Sequence, residues 1–496
     1  MSSPTDNRRL VKMDRRGFLA ATAGAAAALA LLAFGVGEPQ AAQRPQAKRP
    51  NILLIMTDQH RWDFMGCAGH PLVKTPNLDR LAAEGVRFNT AYCQAPVCVP
   101  ARMSIITGRY AHSHGAASNR LALPEDQQTI GHYFKTLGYQ TGALGKMHFV
   151  GPDQHHGFDD RIEWAQFAKT LPAELKKRNP DRGNDELISA GISPLTEAQT
   201  YEHFLATKTI EWLERNGSEP FCLWFSMIAP HPPFKAPKNL YDLYAGRVAD
   251  PPAPPADASP RVPEIEEIDQ ERRGMFDASD DGRKAIYAAY LGNITLADNC
   301  IGRVLEALDR LGLAENTVVV YTADHGDMQY EHGLFFKFVM FDGSARIPMI
   351  IRFPGHTAKG AVRQQVVEHV DLYPTLCELT GAPIPPTVQG RSLTKLLNGD
   401  DPSWPNTAFS ELSMTMVRTQ RYKCNFSGGE PLEVYDMEKD PREFYNLAQT
   451  ERGKEVIRDM VKLRDDWMAR TQPDLRDPSM LRDGWRAMKK EKGKKP

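Results

Sequence analysis

The feature that most constrains the fold is a set of apolar runs without alternation. Ile52-Leu53-Leu54-Ile55-Met56 is one, and similar runs stand at Phe221 to Ile228, Val318-Val319-Val320-Tyr321 and Ile347 to Phe353. A strand with water on one face alternates polar and apolar residues. A run apolar along its length reads as a strand covered on both faces, as in a parallel sheet between helices. Between the runs, apolar residues recur at i, i+3 and i+4 over Asn77 to Glu84, Thr129 to Leu137, Gln199 to Arg215, Arg283 to Leu311 and Asp371 to Thr380. This alternation predicts a layered α/β fold: a large, mostly parallel central sheet sandwiched by helices.

Beyond about Pro386 the texture changes. Short strand patterns at Met416 to Thr419 and Leu432 to Tyr435 are joined by turn-rich segments, and a charged amphipathic helix spans Lys454 to Arg470. These predict a smaller C-terminal α+β subdomain with a short antiparallel sheet. The expected boundaries are 43–385 for the large domain and 386–496 for the subdomain and tail. The Pro/Ala-rich stretch Ala249 to Pro263 reads as a surface excursion.

Residues 1–42 read as an address. Arg15-Arg16-Gly17-Phe18-Leu19 precedes an Ala-dominated run to Val36 and then Pro39-Gln40-Ala41-Ala42. Paired arginines before a modest apolar stretch are the pattern of a twin-arginine export signal. The run is short and weakly apolar for a membrane anchor. A periplasmic or secreted protein is expected, with no stable membrane insertion after cleavage. The 61 Lys+Arg and 62 Asp+Glu leave a net charge of −1, which excludes nucleic-acid binding by bulk electrostatics. The basic tail, Lys489 to Lys495, reads as a solvated end. Seven cysteines in 496 residues are too sparse for a disulfide scaffold, and the odd number leaves at least one without an intramolecular partner.

Two of the buried runs lead directly into acids. Asp58 follows the first, and Asp324 follows Val318 to Ala323, with His325 beside it. Ligand sites of open α/β sheets lie beyond the carboxyl ends of the strands. Two carboxylates and an imidazole there suit one divalent cation, and oxygen-dominated ligation favours Ca²⁺, Mg²⁺ or Mn²⁺. The alternative is that each Asp caps a helix after its strand. A second cluster is Cys98-Val99-Pro100-Ala101-Arg102. Pro100 suits a first helical turn. Cys98 would then sit at a helix N-terminus that favours anions, with Arg102 one turn on along the same face.

These elements together resemble the type I sulfatases of the alkaline-phosphatase-like superfamily. The resemblance covers most of the chain after the export signal. It runs through Asn51 to Gln59, Thr75 to Asp79, Cys98 to Arg102 with Thr107-Gly108-Arg109, and Gly145 to His148. It continues through Pro230-His231-Pro232, Ala323 to Gly326, Glu331-His332-Gly333 with Lys337, and Tyr435-Asp436, Asp440-Pro441 and Asn446-Leu447. The resemblance implies that a formylglycine-generating enzyme oxidises Cys98 to Cα-formylglycine before the twin-arginine translocase exports the protein. The hydrated aldehyde, a gem-diol, would attack the sulfur of a small-molecule or carbohydrate sulfate ester. Metal ligands implied are Asp58, Gln59, Cys98, Asp324 and His325, around Ca²⁺ first and Mn²⁺ or Mg²⁺ as alternatives. Arg102 would stabilise the nucleophile. Lys146, Lys337 and His231 would bind sulfate, His231 would protonate the leaving oxygen, and His148 would take the second hydroxyl's proton. Asn119 is an implied substrate contact.

The chain departs from the commonest sulfatase pattern at two positions. Gln59 stands where many members have Asp, and His325 where arylsulfatases often have Asn. These pairings also occur in phosphonate monoester hydrolases and in choline-sulfatase-like enzymes, which keeps a phosphonate or phosphodiester hydrolase on the same scaffold as the alternative. The Lys146-x-His148 element favours sulfate. Lys146 to Gly157 resembles choline sulfatases locally, with Trp62, Phe149 and Trp164 as candidates for a cation cage or for ordinary packing. A third alternative is an anion-binding protein that keeps the Cys98 thiol.

Overall fold

The computed structural model describes residues 49–151, 154–171, 190–249, 254–272 and 279–471. The export segment and the basic tail lie outside them. No helix among the described residues is long and apolar enough to cross a membrane.

The first apolar run is strand β1 (Asn51–Asp58), buried at all eight positions. Its neighbours are β5 (Phe221–Pro230) and β6 (Thr317–Ala323), both parallel to it, with Ile52 opposite Cys222 on one side and Val318 on the other. The sheet is completed by β2 (Val86–Tyr92), β3 (Gln140–Gly145), β4 (Asp160–Ile162), β7 (Arg346–Arg352) and β8 (Ala361–Glu368), in the order β8-β2-β7-β6-β1-β5-β3-β4. Side chains of β1 alternate between two cores. Ile52, Leu54 and Met56 enter the one with Trp224 and Val320; Leu53 and Ile55 enter the other with Phe225 and Tyr321. Each such fully buried side chain contributes roughly 1.5–3 kcal/mol, so both faces favour a strand with no polar position.

Helices cover both faces. Helices α1 (Pro76–Glu84), α4 (Tyr201–Asn216) and α5 (Asp280–Arg310) pack on the Leu53 side; α2 (Cys98–Thr107), α3 (Ile130–Thr136) and α6 (Leu372–Leu379) pack on the Ile52 side. The helical spacings match these elements to within a few residues. One expectation needs refinement. Strand β7 carries the Ile347 run but lies antiparallel between β2 and β6. Burial on both faces produces the continuous run, and strand direction leaves no mark on it. Strands β2, β3, β4 and β8 lacked an apolar run of comparable length.

The C-terminal region forms a four-stranded antiparallel sheet of β9 (Ala408–Glu411), β10 (Thr415–Arg418), β11 (Tyr422–Ser427) and β12 (Glu430–Asp436). Helix α7 (Glu451–Arg470) lays Val456, Met460 and Trp467 against Phe409, Val417 and Phe426 of that sheet.

Candidate active site

The sheet brings the two acids together. Asp58 ends β1, Asp324 follows β6, and the Asp324 N–H donates to the Thr57 carbonyl at 3.3 Å. Neither begins a helix. The Asp324 Oδ1 instead accepts the backbone N–H groups of Gln59 (3.0 Å) and His325 (2.9 Å). The helix-cap alternative is therefore not what the fold uses.

Cys98 is the first residue of α2, whose ten residues are all buried. From a neighbouring loop, Asn119 Oδ1 accepts the Val99 N–H at 2.9 Å and satisfies a free donor at that helix end. Arg102, one turn on, is enclosed. Its Nε donates to Asp324 Oδ2 at 2.8 Å, Nη2 to Asp58 Oδ2 at 2.9 Å, and Nη1 to Ser226 Oγ at 2.9 Å and to the Lys146 carbonyl. Arg102 thus clamps the two acids.

Four groups close on the Cys98 sulfur. His325 Nε2 lies at 3.3 Å, Lys337 Nζ at 3.7 Å, Asp58 Oδ1 at 3.8 Å and Lys146 Nζ at 3.9 Å. Lys146 Nζ also meets Asp58 Oδ2 at 2.6 Å, and His231 Nε2 stands 4.0 Å from Asp58 Oδ1. Gln59 borders the group in a left-handed conformation (φ 66°), its Oε1 accepting from Lys337 Nζ at 2.5 Å and its Nε2 donating to Asp327. His148 lies beyond the end of β3. Its backbone is left-handed (φ 56°), so Lys146 and His148 do not lie on a simple extended segment. His148 Nδ1 is buried without a hydrogen-bond partner among the described residues.

The electrostatics follow from burial beside these cations. Burial alone would raise the Asp58 carboxyl, but Lys146, His231, Arg102 and Lys337 hold it well below the usual range. Burial and Asp58 push Cys98 up, yet Lys146, Lys337 and His325 bring its thiol well below the ordinary value. Asp324 is raised by burial and by Asp58. Burial, Lys146 and Lys337 lower His231, whose Nδ1 lies 2.6 Å from the Pro232 carbonyl. These neighbours favour the uncharged ring, and Nε2 faces the cluster.

The ligand atoms of Asp58, Cys98, Asp324 and His325 all lie within 4.8 Å of one another, and all four residues are buried. Two enclosed carboxylates and an imidazole fit a hard divalent cation. A thiol is the one soft member of the set; an oxygen function at position 98 would match the others. Sequence reasoning passed over Ser226 and Asp327. Ser226 had a signal, as the one polar break in the apolar β5 run, and Asp327 completes Asp324-His325-Gly326-Asp327. Trp62, Phe149 and Trp164 serve different surroundings. Trp62 lies under the Arg346 guanidinium, Phe149 packs on His156 and Arg161, and Trp164 meets Phe167 and Tyr201 edge to face beside a cavity of about 80 Å³ that His231 also lines.

The cluster of acids and the imidazole lies beyond the carboxyl ends of a mostly parallel sheet, where ligand sites of such sheets lie. Residues 50–382 match the family model described as Sulfatase, and residues 330–468 match N-sulphoglucosamine sulphohydrolase, C-terminal. The choline-sulfatase of Rhizobium meliloti (strain 1021) is 30% identical over 440 residues, covering 82% of this chain and 83% of that protein. The arylsulfatase of Clostridium perfringens (strain 13 / Type A) is 33% identical over 449 residues, covering 82% and 92%. Among solved structures, the phosphonate monoester hydrolase of Agrobacterium radiobacter superposes with a TM-score of 0.74 at 26% identity, over 85% of this chain and 96% of that one. The chain belongs to the sulfatase family and is a sulfuric ester hydrolase.

Proposed function

We propose that the protein hydrolyses sulfate monoesters of small molecules or carbohydrates, with Cys98 converted to Cα-formylglycine as the nucleophile. The observation that carries this reading is the setting of the Cys98 sulfur, with His325, Lys337, Asp58 and Lys146 between 3.3 and 3.9 Å away. Asp58, Gln59, Asp324, His325 and position 98 would hold one divalent cation, Ca²⁺ first and Mn²⁺ or Mg²⁺ as alternatives. Such a cation supplies positive charge that favours an ionised oxygen nucleophile and offsets the charge of the anion. Conversion of Cys98 supplies an aldehyde, and addition of water to it gives two hydroxyls on one carbon, one for attack and one for release.

The remaining roles fall to this chain's own side chains. Lys146 and Lys337 bind sulfate oxygens and fix the line of attack, which is where most positioning energy is spent. Arg102 clamps Asp58 and Asp324 in register, and its charge, one turn from position 98, stabilises the ionised nucleophile. His231 presents Nε2 to the leaving oxygen. Two lysines disfavour its protonation, and an arriving anion adds the counter-charge that lets it carry a proton. His148 takes a proton during release. Acid–base assistance of this kind contributes on the order of 10²–10⁴ in rate. Asn119 contributes its amide at the helix end that faces the substrate.

The phosphonate reading is supported by the likeness in fold to the Agrobacterium enzyme, and the Asp58-Gln59 and Asp324-His325 pairings are compatible with either reading. Parallel assays on 4-nitrophenyl sulfate and 4-nitrophenyl phenylphosphonate separate the two. A higher kcat/KM on sulfate supports the sulfatase reading, and the reverse ranking supports the alternative.

We also propose maturation by a formylglycine-generating enzyme, then export through the twin-arginine translocase to the periplasm or medium. Replacing Arg15 and Arg16 together by Lys should retain the protein in the cytoplasm; unchanged export would refute the route.

A further inference from the structure

Gln59 is held at four points. Its N–H donates to Asp324 Oδ1 at 3.0 Å, and its carbonyl accepts from the Tyr290 hydroxyl at 2.6 Å. Its side-chain Nε2 donates to Asp327 Oδ2, and its Oε1 accepts from Lys337 Nζ at 2.5 Å. Asp327 has no exposure to solvent, and its other oxygen accepts the Gln329 N–H at 2.8 Å.

The two ends of an amide are nearly the same shape, so packing does not choose between them. Hydrogen-bond partners do. An ionised carboxylate only accepts; it pairs with the NH₂ end and repels the carbonyl end. With Asp327 on one side, the Gln59 carbonyl must face Lys337 and the cluster around Cys98. The loop is built to hold this relation. Met328 N–H donates to the Phe336 carbonyl at 2.6 Å, which ties the residue after Asp327 to the residue before Lys337. A Cβ on Gly326 would lie 2.2 Å from the Gly343 carbonyl oxygen, so the turn into Asp327 closes directly onto backbone.

We infer that Asp327 is a positioning residue that locks the Gln59 amide with its carbonyl oxygen toward the cation site. The inference rests on the single-cation reading above and deepens it. The negative charge that many sulfatases place at position 59 is set here one layer back, and the ligand itself is neutral. Partners of this outer kind orient a ligand and raise its strength without touching the ion.

The test uses chelator-treated full-length protein, titrated with Ca²⁺ and separately with Mn²⁺ by calorimetry. In Asp327→Asn, the Oδ1 still accepts from Gln329, but the new NH₂ faces Gln59 Nε2. The Gln59 amide then either opposes its NH₂ to the one introduced at position 327 or turns over and sets a donor against Lys337 and the cation, and both arrangements weaken its hold on the ion. The variant should bind the ion roughly 10- to 100-fold more weakly, with KM for the ester changed far less. In Gln59→Glu/Asp327→Asn the donor and acceptor are exchanged, the hydrogen bond is restored and an oxygen again faces the site. Asp327→Asn should therefore cost little in the Gln59→Glu background. Wild-type affinity in Asp327→Asn, or the same fold-loss in both backgrounds, overturns the inference and leaves the cation reading standing. If the wild-type protein takes up neither ion, the cation reading itself fails, and the inference with it.

Discussion

The Arg102 Nε and the Asp324 Oδ2 meet at 2.8 Å, and neither side chain is exposed to solvent. Removing one partner of a buried pair leaves an uncompensated charge, which costs about 3–5 kcal/mol. Arg102→Met is expected to destabilise chelator-treated protein by that amount in denaturant unfolding, because Asp58 and Asp324 then face each other unclamped. A change below about 0.5 kcal/mol, the range of ordinary surface substitutions, would show that the clamp contributes nothing.

Gly145 places Lys146. Its φ is 109°, and a Cβ there would stand 1.8 Å from the Ser226 carbonyl oxygen, the same oxygen that accepts the Lys146 N–H at 2.9 Å. Gly145→Ala should break that bond and displace Lys146 from Asp58. The expected result is a loss of kcat/KM together with more than about 1 kcal/mol of stability, since the backbone conformation disfavours any Cβ. Unchanged kinetics would contradict this account of how β3 delivers its lysine.

Glu368 joins the central sheet to the C-terminal sheet. It accepts from Phe409 N (2.8 Å), Gln94 Nε2 (3.1 Å) and the Tyr110 hydroxyl (2.9 Å). Burial, with Asp371 adding to it, pushes its carboxyl up to about 8 from an ordinary 4.5. Between these values the folded protein binds more protons than the unfolded chain, so the contribution of Glu368 to stability falls as pH rises. Glu368→Gln keeps the acceptor for Phe409 and Gln94, lets its NH₂ donate to the Tyr110 hydroxyl in place of accepting from it, and removes the titration. Relative to wild type, it should gain stability from pH 5 to pH 8 in urea unfolding. A parallel pH dependence in both proteins would exclude Glu368 as its source.

A bound cation should stabilise as well as activate. Exhaustive chelation is expected to lower turnover, with recovery on adding Ca²⁺ or Mn²⁺, and the unfolding temperature should rise with ion concentration. At a hundredfold excess over Kd, the linkage amounts to about 2.7 kcal/mol. Chelated protein whose activity and melting both match the untreated enzyme would remove the cation from the account.

The acids of the candidate cation site were legible in the sequence because physics wrote them into local pattern. Runs buried on both faces mark β1 and β6, and the acids at their ends can then be placed on one edge of the sheet. Pro100 and the i, i+4 spacing likewise put Cys98 and Arg102 on one helix end. Lys146, His148, His231 and Lys337 had no such pattern. Each sits in a loop, and only likeness to a family singled them out. The direction of β7 was invisible because burial, not polarity of pairing, determines its apolar run. The Asp327–Gln59 pair was hidden because it depends on two loops meeting 268 residues apart.

Position 98 is expected to carry an aldehyde whenever the enzyme is active. The most direct test is the mass of the tryptic peptide containing position 98, taken from protein with measured sulfatase turnover. The account requires the formylglycine mass, lighter than the thiol, in proportion to specific activity. A fully active preparation in which this peptide carries only unmodified cysteine would contradict it.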